Sequence, residues 1–256
     1  MNTPTTRLDV TSHGHGRDLV LLHSLLADRS AFDAVVPLLA QQRRVWCINL
    51  PGYGASTPCG ASIEDYADRI AAWLDEAKLP ADTDVLGNGL GGFIAVALAI
   101  RHGARFDRLI IADALAGFPP AGKLPLRGLA ARVQSEGMSG ALDIAISRMF
   151  PPSFVAAHPD IVTERKRVLE SADANSFATA CLALAEVDFT LRLGGIRNQT
   201  LVMVGALDAT TAPALARELA AGIAGARFME IPGVGHCPQI EDPQAFVAAV
   251  NSFLPT

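Results

Sequence analysis

Charge of either sign is scarce in this chain: 18% of its 256 residues are charged, and the formal net charge is −5. No Lys/Arg stripe appears, which argues against a nucleic-acid footprint. The densest candidate, Thr163-Glu164-Arg165-Lys166-Arg167, mixes signs as a solvated helix face does. Long apolar runs are also missing, none reaching the roughly 18 residues needed to span a bilayer. The opening MNTPTTRLDV has neither the charged start nor the apolar centre of a secretory signal, so a cytoplasmic location is expected. Cys47, Cys59, Cys181 and Cys237 lack paired spacing, which excludes a disulfide framework or a zinc site as the organising device.

What is abundant is apolar: half of the residues are hydrophobic, ample for one large core. Leu19-Val20-Leu21-Leu22, Val45-Trp46-Cys47-Ile48, Val85-Leu86, Leu109-Ile110-Ile111-Ala112, Leu201-Val202-Met203-Val204 and Phe228-Met229-Glu230-Ile231 read as buried strands. Helical periodicity separates them near 29–42, 61–78, 91–102, 212–224 and 242–254. Apolar strands alternating with helices predict an α/β fold, a mostly parallel sheet covered on both faces. Residues 6–12 add a candidate antiparallel edge strand. The alternation fails once, between Phe118 and Leu193, where only helical patterns occur. The expected organisation is a core of 1–117 and 194–256 with a helical cap, 118–193, over the carboxyl ends of the strands, where ligands bind in such sheets.

The most informative absence is one side chain. GNGLGG at 87–92 has the small-residue spacing of G-x-S-x-G, the sharp strand-to-helix turn that lifts a nucleophile above a sheet. Gly87 and Gly91 let the turn close and Gly92 lets the helix pack, yet Gly89 stands where serine belongs. It is neither G-x-G-x-x-G nor a P-loop. Downstream, GALDATTAP sets Asp208 just past one strand, and IPGVGHCP sets His236 in a glycine-rich loop past the last. Taken alone, Asp208 is as often a turn residue and a loop histidine is commonly just exposed. The order of turn, acid and histidine on successive strand ends is what gives them weight.

With these motifs, LLHSLLADRSAFD and INLPGYGAS, the chain resembles the α/β-hydrolase superfamily over essentially its whole length. RMFPPSFVAAHPD, CLALAEVDF and GVGHCPQIEDPQAF look most like 3-oxoadipate enol-lactonases and related carboxylic-ester hydrolases. The resemblance implies Asp208 as orienting acid and His236 as general base. It implies Leu25 and Leu90 N–H groups as an oxyanion hole, with Ser24 in place of the usual glycine and His23 as a structural residue beneath. Asp113, in IIADA, is a rival acid. In the D-x-P-G-x-G-x-S turn, Asn49 replaces the aspartate.

No residue replaces the nucleophile convincingly in the sequence. Asn88 should point elsewhere on the turn, Cys237 should face away from His236, and Ser24 is expected to reach the site only through an unusual backbone path. Four readings of Gly89 stay open: an engineered knock-out, a weak hydrolase whose His236 activates water, a cofactor-free lyase, isomerase or decarboxylase, or a binding pseudoenzyme. The family's lactone substrates carry carboxylates, so a cap cation is expected: Arg148, Arg165 or Arg167. Phe150, Phe154 and Phe177 are candidates for an apolar roof. No metal or organic cofactor is called for, and the expected partner is a small molecule.

Overall fold

A computed structural model describes residues 7–255. Seven strands form one sheet in the order β1-β3-β2-β4-β5-β6-β7. They are β1 (Asp9–His13), β2 (Arg17–Leu22), β3 (Arg43–Asn49), β4 (Asp84–Asn88), β5 (Arg108–Ala112), β6 (Gln199–Gly205) and β7 (Arg227–Ile231). β1 pairs antiparallel with β3, and every other pairing is parallel. The edge strand expected at 6–12 is thus present, although Thr6 lies outside the described residues.

Strand periodicity divides the apolar residues between two cores. Val20, Leu22, Leu109, Ile111, Val202 and Val204 join the core on one face of the sheet. Their sequence neighbours Leu19, Leu21, Ile110, Ala112, Leu201 and Met203 join the other. Each such leucine or valine contributes about 1.5–3 kcal/mol by leaving water. Both faces are buried because helices cover both, which is why these strands lack polar alternation.

The helices follow the sequence pattern with one difference. The stretch expected helical near 29–42 splits into a 3₁₀ turn, Arg29–Phe32, and the short α1 (Val36–Leu39). Pro37 lies in the first turn of α1, the one place where its missing N–H costs nothing. α2 (Ile63–Glu76) starts on a reciprocal cap: Ser62 Oγ accepts from Asp65 N–H and Asp65 accepts from Ser62 N–H. α3 (Leu90–His102) buries every residue from Leu90 to Ala99, as a helix apolar all round must.

Between β5 and β6 run five helices: α4 (Pro120–Glu136), α5 (Leu142–Met149), α6 (Pro152–Ala157), α7 (Pro159–Glu170) and α8 (Ala174–Glu186). An isolated antiparallel bridge between Gly117 and Asp188, with Phe189 N–H donating to Ala116 O at 2.7 Å, ties the neck of this insertion. α9 (Pro213–Gly222), α10 (Pro238–Glu241) and α11 (Pro243–Asn251) complete the chain. Among the described residues, no helix is long and apolar enough to cross a membrane.

Candidate active site

β4 ends at Asn88 and α3 begins at Leu90, so one residue turns strand into helix. Gly89 does so at φ 54°, ψ −120°, a backbone region that costs a side-chain-bearing residue about 1–3 kcal/mol. The turn is tight on both sides. A Cβ on Gly87 would lie 2.0 Å from Gly91 O, and one on Gly91 would lie 2.1 Å from Leu22 O. Gly205 plays the same part at the end of β6, where a Cβ would meet Gly235 O at 2.0 Å. That close approach seats the His236 loop against the sheet.

His236 Nδ1 lies 2.8 Å from Asp208 Oδ2. Asp208 also accepts from the N–H groups of Thr210 at 2.7 Å and Thr211 at 2.9 Å, and from Thr211 Oγ1. Burial works to raise its pKa, but the charge and hydrogen bond of His236 and the Thr211 donors outweigh this and hold it at about 2. A carboxylate so held keeps Nδ1–H as donor and leaves Nε2 free. Nε2 makes no hydrogen bond among the described residues, and His236 lines the cavity in front of Gly89.

Asp113, the rival acid, does not contact His236. Its Oδ1 accepts from Gly205 N–H and its Oδ2 from Asn88 Nδ2, both at 2.9 Å. Full burial, with the Asp208 charge adding to it, pushes this carboxyl well above the usual range. One ligand atom from each of Asp113, Asp208 and His236 falls within 4.8 Å of the others. The hydrogen bonds just described account for the cluster.

Asn88 points below the turn, donating to Asp113 and His236 O and accepting from Gln239 Nε2. Cys237 is buried away from the cavity, and burial pushes its thiol well above the ordinary value. His23 is a structural residue: Nε2 accepts from Leu50 N–H at 3.0 Å, so Nδ1–H donates to Ser24 O at 2.8 Å. Burial lowers its pKa to about 4, leaving the ring neutral. Asn49 bridges Asp9 and Arg29 N–H, where it braces the turn.

Ser24 departs from expectation. It needs no unusual backbone path: its Oγ lies 2.3 Å from the point where a Cβ on residue 89 would stand. The same point is 3.1 Å from His236 Nε2. The serine on the β2 loop therefore occupies the space in front of the bare elbow. Leu25 and Leu90 line the same cavity, and neither backbone N–H finds an acceptor among the described residues.

The cavity is small, about 30 Å³. Its far wall is Phe118 with Leu126, Leu129 and Leu184 from the insertion, and Phe93 from α3 stacks on Phe118 at 5.4 Å. Phe150 and Phe177, expected at the roof, are instead core residues, 3% and 1% exposed, and do not line it. Phe154 is partly buried between Phe150 and His158. The lining leucines and Phe118 went unnoticed in the sequence because nothing there tells which side of a buried helix faces a cavity.

Of the three candidate cations, only Arg148 lines this cavity. Arg165 donates to Ser30 Oγ and lines a separate groove, and Arg167 pairs with Glu164 on the surface. Arg148 is partly buried, and its guanidinium has no hydrogen bond or ion pair among the described residues. Burial lowers its pKa, against the pull of Cys181 and Asp208. The carboxyl end of α5 is tied to the site, since Arg148 O accepts from Thr210 Oγ1 at 2.9 Å and Met149 O from His236 N–H at 3.2 Å. These are the carbonyls a helix end leaves unsatisfied.

Comparison with known proteins agrees with this architecture. The chain is 30% identical over 238 residues to 3-oxoadipate enol-lactonase 2 of Acinetobacter baylyi, covering 92% of this chain and 88% of that protein. It is 28% identical to the pimeloyl-[acyl-carrier protein] methyl ester esterase of Photobacterium profundum, covering 98% and 99%. A thermophilic esterase from Thermogutta terrifontis, studied with malate bound, superposes with a TM-score of 0.89 at 30% identity, covering 96% and 92%. The enol-lactonase from Burkholderia xenovorans gives 0.89 at 29% identity, covering 96% and 95%. Residues 19–250 match the model of the alpha/beta hydrolase family, and the chain belongs to that family.

Proposed function

We propose that the protein hydrolyses a small carboxylic ester or lactone that bears a second, ionised carboxylate. The observation that carries this reading is the pairing of one buried base with one unpartnered cation across a single cavity: His236, its Nδ1 on Asp208, faces Arg148. The base takes a proton from an attacking hydroxyl at Nε2. Asp208 keeps the imidazole in the required tautomer and stabilises the imidazolium that forms. The N–H groups of Leu25 and Leu90 receive the oxyanion, and such a donor contributes about 10²–10³-fold. The helical insertion acts as a cap whose apolar wall excludes water from the acyl portion.

Arg148 supplies the selectivity. A guanidinium without an internal carboxylate, held where burial disfavours its charge, gains most from an anionic ligand. The named activities of the relatives, on an enol-lactone and a methyl ester, belong to the same reaction class. Malate, the ligand named for the T. terrifontis esterase, is a dicarboxylate.

Turnover of short p-nitrophenyl esters, half-esters of dicarboxylic acids and enol-lactones tests the reading, with His236→Ala beside the native protein. Hydrolysis lost in the variant supports it; unchanged rates would remove His236 as base. The bare Gly89 favours a second reading, proton transfer without a covalent step, in which His236 moves a carbon-bound proton and the two N–H groups hold an enolate. Deuterium exchange into a carboxylate-bearing carbonyl compound, without hydrolysis of any ester, would favour it.

A further inference from the structure

The α/β-hydrolase turn puts its hydroxyl on the elbow and a glycine on the facing β2 loop. This chain has the reverse, Gly89 on the elbow and Ser24 on the loop. The two positions oppose each other closely: a Cβ at 89 would lie 2.3 Å from Ser24 Oγ and 2.8 Å from Ser24 Cβ, so the bare elbow leaves room for the Ser24 side chain.

We propose that Ser24 Oγ is the nucleophile, activated by His236, which deepens the hydrolase reading and rests on it. Ser24 is 2% exposed, lines the cavity, and its Oγ has no hydrogen-bond partner among the described residues. An uncommitted hydroxyl on the same cavity as an uncommitted imidazole nitrogen points to use on a ligand. The loop that carries it is rigid at both neighbours. His23 Nδ1–H holds Ser24 O, Tyr53 Oη donates to Leu25 O at 3.0 Å, and Gly91 N–H donates to His23 O at 3.0 Å. Only the Ser24 side-chain torsion is left to adjust, and a hydroxyl–imidazole contact commonly tightens when substrate binds.

The oxyanion donors survive this reversal because they are symmetric with respect to it. One N–H belongs to the residue after position 89 and the other to the residue after position 24. Whichever of the two carries the hydroxyl, its following N–H and the opposite one remain on the cavity.

The steps balance without a further reactant. Ser24 Oγ bonds to the acyl carbon while its proton passes to His236 Nε2, giving a tetrahedral oxyanion held by Leu25 and Leu90. Collapse breaks the acyl C–O bond, and the leaving alkoxide takes the proton from His236. In a lactone that alkoxide stays attached to the acyl chain. Water then gives a proton to His236 as its oxygen bonds to the acyl carbon. The Ser24 ester bond breaks, and Oγ recovers the proton.

The test is phosphorylation of the native protein by diethyl p-nitrophenyl phosphate, read by intact mass and peptide mapping, beside ester turnover. The expected result is one diethylphosphoryl group on Ser24. It should be absent in Ser24→Ala and slowed in His236→Ala, with hydrolysis reduced about 10³-fold or more in both. The double variant Ser24→Gly/Gly89→Ser should move the adduct to residue 89, which also shows that the pocket is folded. No adduct on the native protein, or full turnover in Ser24→Ala, overturns the proposal. In the latter case, loss in His236→Ala alone keeps the hydrolase reading with water as nucleophile. An adduct on Ser24 without hydrolysis of any ester or lactone supports the nucleophile and removes the substrate class.

Discussion

The two walls of the cavity differ in how their polar groups are treated. On the sheet wall, Asp208 accepts from His236 Nδ1, two backbone N–H groups and Thr211, and Asp113 is anchored by Asn88 and Gly205. The insertion wall is phenylalanine and leucine with one cation, Arg148, that has no partner among the described residues. A wall with nearly every group committed holds atoms to a fixed geometry, which proton transfer requires. A wall of apolar side chains with one spare charge sorts ligands without fixing the reaction. On the proposed reading, the strand ends set the rate and the insertion sets the selectivity.

The sharpest way to break that division is to remove an orienting group from the sheet wall. Asp208→Asn should lower kcat by about 10⁴-fold by presenting the wrong tautomer, while thermal melting near neutral pH shows the fold retained. Steady-state hydrolysis by the two proteins checks it. On the insertion wall, Arg148→Met should raise KM for a half-ester of a dicarboxylic acid by about 10–100-fold, the worth of a charged hydrogen bond. A neutral ester of equal length should be hydrolysed unchanged. If kcat fell for both esters alike, Arg148 would belong with the chemistry.

Gly89 offers a smaller, structural test. Gly89→Ala should destabilise the protein by about 1–3 kcal/mol from the backbone alone, and further through the contact with Ser24. Gly225→Ala, at φ 74° with nothing within 4 Å of its Cβ position, carries backbone strain without a contact and should cost about 1 kcal/mol. Urea unfolding of both separates the two terms.

The last effect is on pH dependence, where the two buried acids should act in opposite senses. Asp208 is held at about 2, so its contribution, on the order of 2 kcal/mol, is present above the unfolded carboxyl value and fades as pH falls toward 2. Asp113 is raised by burial, so its folded state binds the proton more tightly and stability declines as pH rises past the unfolded value. Melting temperatures from pH 2 to 6 should show the native advantage over Asp208→Asn shrinking toward acid. The difference from Asp113→Asn should move the other way.

Much of the arrangement is legible in the sequence. Continuous apolar runs mark the sheet, because strands buried on both faces carry no polar alternation. GNGLGG, Asp208 and His236 were legible because a tight turn and a strand-end loop demand particular residues in order. Phe150 and Phe177 were misread as cavity roof, since helical periodicity distinguishes buried from exposed but not core from cavity. Arg148 could be separated from Arg165 and Arg167 only when each had found, or failed to find, a partner distant in the chain.

The amino-acid sequence by itself determined the fold, the order of the acid and base, and the bare elbow, because each depends on local pattern and spacing. Tertiary structure alone decided that Asp208 rather than Asp113 meets His236, and that Arg148 faces the cavity. It also decided that Ser24 stands in front of Gly89. Positions 24 and 89 are brought together by the parallel pairing of β2 with β4, and a distance set by strand pairing is not written in either segment.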